Sequence, residues 1–83
     1  MSLQIKVLGG GCANCLNLEQ NVRSAVEQLS VDAEIEHVSD PAEYARYGCL
    51  FTPGLVVNDQ LVSAGRVPSP DQVVTLLANA LAT

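Results

Sequence analysis

The chain has 83 residues, 48% of them hydrophobic and 16% charged, and a net charge of −5. That length suits one domain with a modest core, and that balance excludes a disordered chain. Only Lys6, Arg23, Arg46 and Arg66 are basic, too few to displace counterions from a nucleic acid or to grip an anionic membrane surface.

The opening residues, MSLQIKVLGGG, lack the charged segment and long apolar run of a secretory signal, and no stretch is apolar for the length of a membrane span. A cytoplasmic protein is expected. With no Trp, two Tyr and one Phe, the core must be aliphatic. Residues 3–9, LQIKVLG, alternate: Leu3, Ile5 and Val7 point one way, Gln4 and Lys6 the other. They predict a strand that Gly9, Gly10 and Gly11 end. From residue 12 to 29 the period lengthens. Cys15, Leu18, Val22, Ala25, Val26 and Leu29 recur at steps of three and four and make one stripe of a helix.

Residues 32–38, DAEIEHV, alternate again. Ala33 and Ile35 oppose Glu34 and Glu36, a pattern suited to an edge strand with a solvated acidic face. Residues 40–48 read as a short helix, with Asp40 as cap, Pro41 in the first helical position, Glu43 closing a capping box and Gly48 as stop. Residues 54–65 form a hairpin about Asn58-Asp59, two residues that tolerate positive φ. Residues 69–82 are the last helix, capped by Ser69 with Gln72 three residues on. Its stripe is Val73, Leu76, Leu77, Ala80 and Leu81. The order is β-α-β-α-β-β-α. A βαβ unit makes the first two strands parallel with a right-handed crossover, and the closing hairpin is antiparallel, so the sheet is mixed with helices on its faces.

The stretch GGGCANC holds the chemistry. Cys12 falls at a helix start, where unpaired N–H groups and the positive end of the dipole stabilise a thiolate. Cys15 sits one turn deeper on the apolar stripe, close enough to close a disulfide and buried enough to stay protonated. A C-x-x-C pair in a reducing compartment reads as redox or metal chemistry, and its place after a strand and a glycine run argues against an inert pair. A second feature is FTPG, residues 51–54, where Pro53 precedes a strand. The frequency of cis prolines in folded proteins favours a trans bond there.

Cys12-Ala13-Asn14-Cys15 after the first strand, TPGLVV before the hairpin and AGRVPSPDQV before the last helix resemble the thioredoxin superfamily. More closely, they resemble its small, glutaredoxin-sized archaeal and bacterial redox proteins. The resemblance spans residues 3 to 81. It implies a single thioredoxin-like domain over 1–83, a four-stranded sheet of order 2-1-3-4, and a cis Pro53 packed beside the Cys12–Cys15 pair. It also implies that Thr52 offers its backbone to an extended substrate peptide, as in strand addition. There is no Trp before Cys12 and no Gly-Pro between the cysteines, so Ala13-Asn14 departs from the best-known thioredoxins. Asn14 is expected to face solvent.

The reading is a monomeric thiol–disulfide oxidoreductase with Cys12 as nucleophile and Cys15 as resolving thiol, and no cofactor. Its partners would be a disulfide-containing protein and an upstream reductase. The alternative is a soft-metal or metalloid carrier using Cys12, Cys15 and possibly Cys49. A scaffold kept only for interaction is a third reading, opposed by the intact cysteine pair. Cys49 itself is expected to be a small buried hydrophobe, with pairing to Cys12 or thiolate ligation as competitors. His37 is expected on the surface and Tyr44 and Tyr47 in packing roles, while Arg66 could meet a partner or the surroundings of the first helix.

Overall fold

Residues 3–11 and 13–82 are described in a computed structural model of the chain. The elements are β1 (Leu3–Leu8), α1 (Ala13–Leu29), β2 (Ala33–Val38), α2 (Pro41–Arg46), β3 (Gly54–Val57), β4 (Gln60–Ala64) and α3 (Pro70–Leu81). The sheet runs β2-β1-β3-β4, with β1 parallel to β2 and antiparallel to β3, and β3 antiparallel to β4. This is the expected thioredoxin-like order.

Strand alternation divides the interior in two. Leu3, Ile5 and Val7 of β1 join Leu55 and Val57 of β3 on one face. There they meet Leu18, Val22 and Ala25 of α1 and Val73 and Leu77 of α3. Leu8 and Val56 turn to the other face and pack with Cys49, Tyr44 and Tyr47. Every residue of β3 is buried, which explains why its apolar run GLVV does not alternate with polar residues. β2 is an edge strand, with Glu34 and Glu36 exposed and Ala33 and Ile35 half-buried.

The hairpin turns on Asn58 at φ +50° and Asp59 at φ +67°, the left-handed pair that a two-residue turn demands. Asn58 also grips β1: its N–H donates to Gln4 O at 2.7 Å and its Oδ1 accepts from Gln4 N at 3.0 Å. α3 has its full capping box. Ser69 Oγ accepts from Gln72 N at 3.2 Å, and Gln72 Oε1 accepts from Ser69 N at 3.0 Å.

Two expected details differ. Glu43 does not close a box on Asp40. Asp40 Oδ1 accepts from Ala42 N at 3.0 Å, while the Glu43 carboxylate pairs with Arg46 one turn on, at 3.4 Å. In so short a helix the i,i+3 cation competes directly for that carboxylate. Leu81 is not in the buried stripe but 46% exposed. It is the last helical residue, and Val74 packs on the core in its stead.

Candidate active site

The site is built where β1 stops. Gly9 carries the ladder one step further, its N–H donating to Val38 O at 2.9 Å. A Cβ at Gly9 would overlap Cys15 Sγ and stand 3.3 Å from Cys15 Cβ and 4.0 Å from the Cα of Pro53. The end of the central strand, the first turn of α1 and the residue that opens β3 therefore converge on a position that only a hydrogen side chain fits. Cys15 is 1% exposed, as its place on the apolar stripe predicts. Cys12 lies outside the described residues. Its chain neighbours are Gly11, at φ +84°, and Ala13, the first residue of α1. Gly11 needs its lack of a side chain to hold that left-handed conformation.

Thr52–Pro53 is a cis peptide bond. The trans expectation drawn from frequencies is overturned, and the bond is cis, as the resemblance implies. A tertiary amide has only a weak trans preference, so local packing decides. Pro53 is buried beside Gly9, and its carbonyl accepts from Gly65 N at 2.9 Å. Thr52 is exposed, and among the described residues its N–H and C=O have no hydrogen-bond partner. Two large apolar side chains stand just ahead of it in the open, Leu50 at 85% and Phe51 at 70% exposure.

A thioredoxin-domain family model matches residues 3–78. The chain is 38% identical over 76 residues to a protein named thioredoxin from Methanothermobacter thermautotrophicus, covering 92% of this chain and 99% of that one. It is 39% identical over 69 residues to another so named from Methanocaldococcus jannaschii, covering 83% of this chain and 79% of that one. The chain belongs to the thioredoxin family. Its enzyme class is thiol–disulfide oxidoreductase.

Within this thioredoxin scaffold the third cysteine is set apart. A Cβ at Gly54 would stand 2.6 Å from Cys49 Sγ and 3.4 Å from Leu8 Cδ1. Leu8 and Gly54 pair across the β1–β3 ladder, and side chains alternate along each strand. Cys49 thus shares the Leu8 face, whereas Cys15 reaches Gly9 on the opposite face. Cys49 is 6% exposed and its thiol donates to Phe51 O at 3.1 Å, the behaviour of a small buried hydrophobe. Among the described residues no three His, Cys, Asp or Glu gather as a metal site.

Tyr44 and Tyr47 pack on the Cys49 face. Burial pushes the Tyr44 hydroxyl up, with Cys15, Asp40 and Cys49 adding to the shift. Tyr47 does more than pack. Its hydroxyl accepts from Lys6 Nζ at 2.8 Å and donates to Asp59 Oδ1 at 3.3 Å. That bond raises the Lys6 pKa. Asn14 is exposed, as expected.

Sequence reasoning missed two residues. Gly9 reads only as the end of a strand. His37 is exposed, as expected of a surface histidine, yet its Nε2 lies 2.9 Å from Gly9 O and its ring stands beside Gly11. Only the parallel register that sets His37 opposite Val7 reveals this, and no local pattern encodes a register.

Proposed function

We propose that the protein is a single thioredoxin-like domain that passes electrons between its Cys12–Cys15 pair and a disulfide in a partner protein. The observation that carries this reading is the convergence of buried Cys15 and cis Pro53 on Gly9, three residues before a cysteine that precedes α1.

The Cys12 thiolate attacks one sulfur of the partner's disulfide. The S–S bond breaks, the other partner sulfur leaves as a thiolate and takes a proton, and a mixed disulfide remains. Cys15 then loses its proton and attacks the Cys12 sulfur. The second partner thiol is released, and Cys12–Cys15 becomes the disulfide. An upstream reductase returns two electrons and two protons. No metal or other cofactor enters these steps.

The partner chain would lie extended beside Thr52, whose backbone groups have no hydrogen-bond partner among the described residues and suit added-strand pairing. Leu50 and Phe51 offer it an apolar ledge. Phe51→Ser is therefore expected to raise KM for a protein disulfide about three- to tenfold, in keeping with about 1 kcal/mol or slightly more for an apolar contact. Its rate with a small aliphatic disulfide should not change, and equal losses on both substrates would remove Phe51 from the docking role. A cytoplasmic location and a monomeric state fit this reading, and no helix among the described residues is long and apolar enough to cross a membrane.

The deciding experiment is a redox titration in defined dithiol/disulfide buffers, quenched by alkylation and mapped by mass spectrometry. A reversible Cys12–Cys15 disulfide is the expected result. Thiols that stay reduced throughout, or a Cys12–Cys49 bond in its place, would overturn the proposal. The three-thiolate carrier is disfavoured by the opposite faces occupied by Cys15 and Cys49.

A further inference from the structure

The glycine run before Cys12 has a tether that the exchange mechanism leaves unused. Gly9 directly follows the last residue of β1, and its N–H is taken by Val38 O. Among the described residues its carbonyl has no backbone partner. His37 Nε2 fills that place at 2.9 Å. A carbonyl only accepts, so Nε2 carries the proton and Nδ1 is the acceptor in the neutral ring. The same ring spans the loop to its far end: a Cβ at Gly11 would lie 3.8 Å from His37 Cε1. One side chain from the edge strand thus bonds the first residue of Gly9-Gly10-Gly11, which packs against Cys15, and lies beside the last, which precedes Cys12.

We propose that His37 is a positioning residue for the redox pair, holding the glycine loop in the arrangement that the Cys12–Cys15 disulfide requires. A disulfide needs its sulfurs at about 2.05 Å with a narrow torsion range. Three consecutive glycines have more backbone freedom to lose than any other tripeptide. Left loose, the loop must lose that freedom when the bond closes. Held by His37, it is already ordered in the dithiol, so closing the ring costs less and the disulfide is favoured. This rests on the exchange reading above and adds to it a residue outside the C-x-x-C motif.

The test compares His37→Phe, which keeps a ring without the donor, with His37→Gln, whose amide N–H reaches about as far as Nε2. Each is titrated against a dithiol/disulfide buffer with alkylation and mass spectrometry as readout. Losing one hydrogen bond changes an equilibrium by roughly three- to tenfold. The Phe variant should favour the dithiol by that factor, a rise in reduction potential of about 15–30 mV at about 29.6 mV per tenfold. The Gln variant should stay within about twofold of the wild type. His37→Ala guards against a Phe-specific packing effect and should follow the Phe variant.

An unchanged potential in Phe and Ala, a shift toward the disulfide, or a Gln variant displaced as far as Phe would each overturn the proposal. Failure of the wild type itself to form a reversible Cys12–Cys15 disulfide would instead sink the exchange reading beneath it. The two failures are therefore distinguishable in one experiment.

Discussion

Cys12→Ser is expected to abolish reduction of a protein disulfide, with the rate falling at least about a thousandfold to the background of the supplied dithiol. A serine hydroxyl does not ionise near neutral pH and cannot form the mixed disulfide, so no remaining step starts. Cys15→Ser should behave differently. Attack by Cys12 survives, but the resolving thiol is gone, so a covalent adduct with the substrate accumulates and is released only by added reductant. Mass spectrometry of an alkylated reaction mixture reads both outcomes. Cys49→Ser should leave turnover within about twofold, because the Cys49 side chain occupies the Leu8 face of the sheet, away from Cys15. A Cys12→Ser protein that still turns over, or a Cys15→Ser protein that never traps substrate, would reverse the assignment.

Gly9→Ala is expected to cost about 1–3 kcal/mol, as overpacking of a close-packed site does. In a domain of this size that lowers Tm by roughly 5–20 °C. The cause is steric rather than conformational. The new methyl would overlap Cys15 Sγ and stand 3.3 Å from Cys15 Cβ, and Cys15 is buried in the first turn of α1. Gly10→Ala is the control. Among the described residues its Cβ would meet no atom within 4 Å beyond its chain neighbours, so its stability should stay within about 0.5 kcal/mol of the wild type. Pairing Gly9→Ala with Cys15→Ala frees the overlapped volume and should recover part of the loss, the signature of two side chains in contact. Thermal unfolding of the reduced proteins checks the series, and a Gly9→Ala protein as stable as Gly10→Ala would remove the close approach.

Much of this was legible in the residues because the deciding forces were local. Alternation in 3–9 marked β1, the three- and four-residue steps marked the buried face of α1 down to Cys15, and Ser69 with Gln72 marked the start of α3. Asn58-Asp59 named its own turn. The illegible parts depended on pairings between distant segments. The bulge between Leu55 and Val56 follows from how β4 meets β3. The cis Thr52–Pro53 bond lies beside Gly9 and is tied to Gly65, residues on two other segments. Glu43 had two possible partners and took Arg46. His37 becomes part of the site only through its register with Val7.

The sheet order also bears on how the chain emerges from the ribosome. β1 lies between β2 and β3, yet its partners on the β3 side, such as Val57 opposite Ile5, are made only after the first two strands, α1 and α2 have been synthesised. A nascent chain that stops before residue 54 therefore carries a complete crossover unit whose central strand has one unpaired edge and an uncovered apolar face. Such an edge invites pairing with neighbouring chains. Delivery of the short hairpin closes it, since β3 pairs with β1 and Asn58, the next residue, bonds to Gln4.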